Sequence, residues 1–168
     1  MARMVTDYED VTAFTLDSER ERELLDQAKE CTFIWTNKSG EPVGVIMAFL
    51  ADAKGHLWLT GAENRARFPA VRRNPQTCIV ISSTGTPMKA GKTITYKGTS
   101  IIHDKADRTV KDWFYKAFAR KIRGFKGEAS VKQFVEFLDS PNRVVLEFIP
   151  DKRISHDGDK MTAATPPV

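Results

Sequence analysis

The chain has 168 residues and a mass of 18.9 kDa, the size of one globular domain with its own core. Hydrophobic residues make up 41% and charged residues 29%, and the net charge of +4 suits an anionic ligand as well as nucleic acid. No apolar run approaches the roughly 20 residues of a membrane span, and the N-terminal segment lacks the apolar stretch of a signal peptide. We therefore expect a cytoplasmic protein with no membrane partner.

Periodicity and turn residues predict the secondary structure in chain order. Ser18-Glu19-Arg20-Glu21 has the pattern of a capping box and begins the first helix. The predicted strands are residues 31–36, 43–51, 57–61, 77–83, 93–104 and 144–149. The other predicted helices run from about 65 to 74, from after 104 to 122, and from a cap at Ser130 to 138. The strand at 43–51 is apolar enough to be buried on both faces.

Tight turns join most neighbouring strands, so the sheet is expected to be mainly antiparallel. An antiparallel sheet of six strands tends to curl and close, which removes exposed strand edges. The predicted fold is mainly β within the α+β class, a six-stranded barrel with flanking helices. We expect one domain over residues 1–160 and a disordered tail of mostly Ala, Thr and Pro over 161–168.

Arg65-Ala66-Arg67 follows the third predicted strand and opens a short helix. Two guanidinium groups would then lie beside the N–H groups of a helix N-terminus, and both features favour a bound phosphate. The simpler alternative places both arginines on a solvated helix face, as expected for Arg72 and Arg73. The phosphate hypothesis makes a phosphorylated cofactor or substrate the expected ligand.

Other polar side chains give weaker signals. Cys31 and Cys78 lie in apolar segments without CxxC spacing, which is typical of buried thiols. The three histidines lie far apart without metal-ligand spacing, so no metal site is predicted. The longest helix combines basic and aromatic residues, which nucleic-acid binding and a solvated face both explain. We expect the solvated face and no nucleic-acid partner, because the aromatic residues other than Tyr115 fall on the apolar stripe.

Four short motifs follow one another along the chain. They are Gly40-Glu41-Pro42 before a long apolar strand, Leu57-Trp58-Leu59-Thr60, Arg65-Ala66-Arg67 with Arg73-Asn74-Pro75, and Tyr96-Lys97-Gly98-Thr99-Ser100-Ile101-Ile102. Their order resembles the pyridoxamine 5′-phosphate oxidase-like split β-barrel family of flavin and deazaflavin proteins. The resemblance covers residues 18–160 and implies a six-stranded antiparallel split β-barrel that forms a homodimer, with cofactor sites at the subunit interface.

The resemblance also implies a cofactor site. It places the phosphate on Thr60, Arg65 and Arg67 and the ring against Val45 and Met47. A reduced flavin also needs a cation or N–H donor near its N1–C2=O edge, for which Lys92 and the backbone at Thr93 are our candidates. The full set of predicted cofactor-binding residues is Val45, Met47, Trp58, Thr60, Gly61, Arg65, Ala66, Arg67, Lys92 and Thr93.

Departures from the family pattern narrow the expected function. Val45 stands where true pyridoxamine phosphate oxidases carry an Arg, and their substrate-binding C-terminal extension is missing, so vitamin B6 oxidation is not expected. Arg67 replaces the usual Lys, which keeps the charge and changes the donor geometry. The segment Arg153-Ile154-Ser155-His156-Asp157 is similar to the ending of the deazaflavin-using branch.

The expected activity is an FMN-dependent oxidoreductase that transfers hydride to or from a small substrate. Three alternatives stay open: a reductase using the deazaflavin coenzyme F-420, a non-catalytic flavin carrier, and a nucleic-acid-binding barrel. No catalytic residue is predicted, because in such enzymes the cofactor carries the reacting atoms.

Overall fold

The computed structural model describes residues 11–89 and 91–165. A 3-10 helix at Val11–Phe14 precedes five α-helices: α1 (Ser18–Gln27), α2 (Arg67–Arg73), α3 (Arg108–Arg123), α4 (Glu128–Leu138) and α5 (Gly158–Ala164). The seven strands of the described residues are β1 (Glu30–Thr36), β2 (Pro42–Ala48), β3 (Leu50–Ala51), β4 (Leu57–Ala62), β5 (Gln76–Ser82), β6 (Lys92–His103) and β7 (Arg143–Asp157).

One sheet contains all seven strands in the order β2-β1-β5-β6-β7-β4-β3, and every neighbouring pair is antiparallel. The sheet curls until β2 contacts β4 without forming a ladder with it. The result is a half-barrel with helices around it. The predicted α+β class and antiparallel barrel are confirmed, with seven strands in place of six.

The seventh strand arises because the predicted strand at 43–51 changes partner at Phe49. Ala48 pairs with Glu30 of β1, whereas Leu50 pairs with Trp58 of β4. Phe49 lies between them, fully buried, and its N–H donates to the carbonyl of Lys29 at 3.2 Å. This residue is therefore the corner at which the chain passes from one half of the sheet to the other.

The expectation that this strand is buried on both faces is wrong. Alternate residues of β2 face the core, whereas Gly44 and Ile46 are exposed. β2 is an edge strand, so no strand covers its outer edge, and no described helix covers Ile46. Apolar content alone could not distinguish a strand buried by its own chain from one with an open apolar face.

Several predicted ends of elements also need correction. Asp17, not Ser18, caps α1 by accepting from the Arg20 N–H at 2.9 Å. α4 begins at Glu128 after Gly127, without the cap predicted at Ser130. β7 continues past residue 149 to Asp157, because a bulge lets it stay paired with β6.

The C-terminal segment is more ordered than its composition indicates. α5 covers residues 161–164 of the tail predicted to be disordered, and residues 166–168 lie outside the described part. Asp157 caps α5 by accepting from the Asp159 N–H at 3.1 Å. The Asp159 carboxylate in turn accepts hydrogen bonds from Lys92 at 2.6 Å and Arg20 at 2.7 Å. Charge pairing with the barrel thus fixes a segment of low hydrophobicity.

Two apolar clusters hold the fold together. The larger fills the half-barrel and includes Phe33, Phe49 and Leu59. The smaller lies between the outer face of the sheet and α3, where Trp58 packs with Phe114. Within the described residues, no helix is both long and apolar enough to cross a membrane.

Gly98 is required where β6 and β7 approach most closely. Lys97 pairs with Lys152 and Gly98 with Pro150, so Asp151 is the extra residue of a β-bulge. A Cβ atom built at Gly98 would lie 2.1 Å from the carbonyl oxygen of Ile149, which is a backbone atom and cannot rotate away.

We expect Gly98→Ala to lower the free energy of unfolding by roughly 1–3 kcal/mol, because the methyl group forces the two longest strands apart. Urea denaturation measures the change. Gly44→Ala is the matched control, since its nearest neighbour is the Thr32 methyl group at 3.3 Å, which can shift. Equal stability of both variants would contradict the close-approach argument.

Lys121 is a cation held largely inside the protein. Its Nζ donates to the Leu25 carbonyl at 2.7 Å and lies 4.0 Å from the centre of the Phe49 ring. Burial lowers the pKa of Lys121 to about 8, although Asp26 and Cys31 oppose the shift. The unfolded chain, with an ordinary lysine pKa near 10.4, therefore binds more protons between these two values.

The contribution of Lys121 to stability should therefore rise as pH increases from about 8 to 10.4, against the opposing contribution of Cys31, whose pKa burial raises to about 12, and Lys121→Met should remove it. The contribution of Lys121 to the free energy of unfolding changes by at most roughly 3 kcal/mol over this pH range. Denaturation midpoints measured at pH 7 to 10.5 test it, with the exposed Lys116→Met as control. Equal slopes in the unmodified protein and in Lys121→Met would show that Lys121 makes no such contribution.

Candidate cofactor site

The arginine pair lies where β4 leaves the sheet and α2 begins. α2 starts at Arg67, two residues later than predicted, and Ala66 is its N-cap without a side-chain hydrogen bond. The Phe68 N–H already donates to the Arg65 carbonyl at 3.0 Å. With seven residues and Pro69 in its first turn, α2 offers few free N–H groups. Anion binding here therefore depends on the guanidinium groups rather than on the helix dipole.

Arg67 is half-buried with part of its hydrogen-bonding capacity unused. Its guanidinium lies over the Phe68 ring, 5.3 Å from the centroid, and its Nε is buried without a partner among the described residues. Burial lowers the pKa of Arg67, and the charge of the nearby Arg65 lowers it further. A bound anion would relieve both effects, because it supplies an acceptor and an opposite charge.

Gly61 makes room for this side chain. A Cβ atom built at Gly61 would lie 2.9 Å from Nη2 of Arg67 and 3.0 Å from the Phe68 ring. Gly61, Arg65, Ala66 and Arg67 thus form one group, with Arg65 and Ala66 exposed beside the half-buried Arg67. The two guanidinium groups, one of which has a buried Nε that pairs with no described residue, fit the phosphate of a cofactor.

Trp58 and Thr60 face the opposite side of β4. Trp58 packs in the cluster under α3, and its indole N–H donates to Asp52 at 2.9 Å. The Thr60 hydroxyl donates to the Val144 carbonyl at 2.8 Å. Side chains alternate across a strand, so these two point away from Gly61. The structure places them next to the arginine group in sequence but not on the same face.

Val45 and Met47 lie on β2, on the face that packs against the main core. Met47 is buried and Val45 half-buried. Among the residues that the structure describes, no strand pairs with the outer edge of β2, so backbone N–H and C=O groups on that edge are available to a ligand. β2 also contacts β4, the strand that precedes α2 in the chain.

Lys92 and Thr93 do not join this group. The Lys92 side chain is fully buried and donates to the Met88 carbonyl at 2.9 Å and to Asp159 at 2.6 Å. Pro75, just after α2, contacts Ser100 near the other end of β6. At about 3.3 Å per residue, Lys92 is more than 20 Å along the strand from Ser100. Its contacts fix the C-terminal segment, and Thr93 pairs beside it with His156.

Sequence reasoning missed a row of residues across the outer face of the sheet. Ile46, Thr32, Val80, Thr95 and Ile154 pair in succession across β2, β1, β5, β6 and β7. Ile46 is 65% exposed and Ile154 is 62% exposed. Alternation within each strand marks these residues as outward-facing, but only the register between strands brings them into one line.

The described residues contain no group of three or more His, Cys, Asp or Glu side chains arranged to hold a metal ion. A comparison of the sequence with protein-family models finds no match, and a comparison with curated proteins finds none either.

Solved structures share the fold. The conserved hypothetical protein Rv2991 of Mycobacterium tuberculosis is 14% identical, with a TM-score of 0.78 over 93% of this chain and 92% of that one. A protein of Listeria innocua described as a pyridoxamine 5′-phosphate oxidase is 21% identical, with a TM-score of 0.59 over 82% and 95%. An F420 reductase is 17% identical, with a TM-score of 0.58 over 79% and 94%. The chain therefore has the split β-barrel fold of the pyridoxamine 5′-phosphate oxidase-like proteins, as its sequence motifs predicted.

Proposed function

We propose that this protein binds a phosphorylated flavin-type cofactor, FMN or the deazaflavin coenzyme F-420, with its phosphate on Arg65 and Arg67. The observation that carries the proposal is the buried Nε of Arg67, which has no partner among the described residues. Leaving a buried charged donor unpaired is costly, and a phosphate is the acceptor that a guanidinium fits best. The fold shared with an F420 reductase and a pyridoxamine phosphate oxidase supports a cofactor of this class.

The ring of the cofactor would lie along the open edge of β2 near Val45 and Met47. Unpaired backbone groups of an edge strand can bond the polar edge of a ring system, and the adjacent apolar side chains cover its face. When bound, such a cofactor supplies hydride transfer, and the chain contributes binding, orientation and exclusion of water. The proposed activity is that of an oxidoreductase on a small substrate other than a vitamin B6 phosphate.

A non-catalytic flavin carrier is the second candidate. Glu63, the carboxylate closest in sequence to the arginine pair, is held by Arg72 at 2.7 Å and by Lys105 at 3.3 Å. It is therefore not free to act as an acid or base, and this favours a site that binds without further chemistry. Reduction of the bound cofactor by NAD(P)H, followed by turnover of a substrate, would exclude the carrier.

Replacing both arginines with alanine should weaken cofactor binding by about 3 kcal/mol or more, at 1.5–3 kcal/mol for each charged hydrogen bond. This is roughly a hundredfold rise in Kd. Titration with FMN and with the deazaflavin, followed by absorbance and fluorescence, measures it.

Arg72→Ala/Arg73→Ala is the matched control, because it removes the same charge from exposed positions of the same helix. Cofactor affinity that is unchanged in Arg65→Ala/Arg67→Ala, or lowered equally in the control, would refute the phosphate site. Binding of only one of the two cofactors by the unmodified protein would identify the cofactor.

We further propose a homodimer formed through the outer face of the sheet. The row from Ile46 to Ile154 crosses five strands and carries two isoleucines that are more than half exposed. Exposed apolar side chains are typical of protein interfaces, and here they lie at the two ends of a row whose middle residues, Thr32, Val80 and Thr95, are half-buried. Because β2 belongs both to this face and to the site, a second copy would lie beside the ring.

Ile46→Glu should convert the dimer into a monomer, since it would bury a charge at one exposed apolar end of this row. Sedimentation velocity of the purified protein measures the change. Phe137→Glu, at a side chain 75% exposed on α4 and away from the row, serves as control. A monomeric unmodified protein, or a dimer unaffected by Ile46→Glu, would refute this interface.

A further inference from the structure

The turn between α3 and α4 presents an aromatic side chain to solvent. Gly124 and Gly127 have φ of 70° and 97°, and between them lie only Phe125 and Lys126. Positive φ at both glycines reverses the chain within four residues. Phe125 is 62% exposed at the tip of this helical hairpin. The exposed part of the Phe125 ring does not contribute to the packing of the domain.

Basic residues are concentrated in the sequence around this phenylalanine. Residues 116–126 contain five Lys or Arg side chains and no acidic residue, and Lys116, Arg120, Arg123 and Lys126 are exposed. The Arg120 guanidinium lies 5.9 Å from the centre of the Phe125 ring. The Lys29 ammonium adds a further charge, since it reaches the Ile122 carbonyl at the end of α3, 3.4 Å away. Glu128 offsets part of this charge by pairing with Arg120 at 2.7 Å.

We propose that this hairpin tip docks the protein on an anionic lipid bilayer, with Phe125 entering the headgroup region. A single inserted apolar group binds a membrane only marginally, whereas an apolar group combined with a basic cluster that attracts anionic lipid binds more firmly, and the tip supplies both. Long Lys and Arg side chains can keep their charges at the headgroups while an aromatic ring inserts between them. This contact is with the surface only.

A bilayer fits the tip better than a nucleic acid does. Single strands bind by stacking successive bases on several aromatic faces along a groove. Phe118 of α3 is buried, and Trp113, which is 39% exposed, packs edge-on against Trp58 with ring centroids 4.8 Å apart, so α3 does not present a series of free aromatic faces. A single ring on a projecting turn is suited to a flat surface. The sequence analysis predicted no membrane partner, because hydropathy patterns detect membrane-spanning segments but do not reveal that a single side chain is exposed.

Flotation with vesicles tests the proposal. The purified full-length protein should float with vesicles of phosphatidylcholine and phosphatidylglycerol, and not with phosphatidylcholine alone. Phe125→Ser should lower the bound fraction at least tenfold, as should Arg123→Ala/Lys126→Ala. Phe137→Ser and Arg72→Ala/Arg73→Ala are the matched controls and should bind like the unmodified protein, since they alter exposed residues elsewhere.

Binding that is unaffected by Phe125→Ser, or lowered equally by Arg72→Ala/Arg73→Ala, would overturn the proposal in favour of a general polyanion surface. The proposal would also be overturned if single-stranded DNA displaced the unmodified protein and Phe125→Ser from the vesicles equally well. Failure to float at low salt would overturn it outright. FMN titration of each variant keeps this result separate from the cofactor site, because none of these substitutions touches Arg65 or Arg67.

Discussion

β6 and β7 pair over twelve positions, from Lys92 with Asp157 to His103 with Val145, and this pairing joins the two halves of the sheet. β5 and β1 are attached on one side and β4 and β3 on the other. The strands stay together past their bulge because Gly98 has no side chain to collide with Ile149. The curl that brings β2 into contact with β4 follows from this long pair.

Lys92 and Arg67 are both at least partly removed from solvent, but they differ in how their hydrogen-bond donors are paired. Lys92 is buried with its charge satisfied by Asp159, which fixes α5 against the barrel. Arg67 is half-buried with a donor left unpaired, and Arg65 adds a second charge beside it. A buried cation in an ion pair stabilises the native structure, whereas a buried cation with an unpaired donor is typical of a binding site. Lys92 and Arg67 thus differ in pairing rather than in the number of charges.

Three surfaces of the domain are then assigned separate roles. We propose that the arginine group at the start of α2 binds an anion, that the row ending at Ile46 and Ile154 contacts a second copy, and that the turn at Phe125 contacts lipid. These surfaces lie on different elements, so each can be altered without disturbing the others. Ile46 and Phe125 share one property, an exposure that the packing of the domain does not explain.

Local patterns were enough to predict the strand and helix content, the antiparallel barrel and the position of the arginine pair, because periodicity, turn residues and short motifs are properties of single segments. The change of strand partner at Phe49, the exposed face of β2 and the ion pair of Lys92 with Asp159 became visible only in the folded chain. So did the separation of Trp58 from Gly61 across β4. These outcomes depend on register and on contacts between distant residues, which the pattern of one segment does not contain.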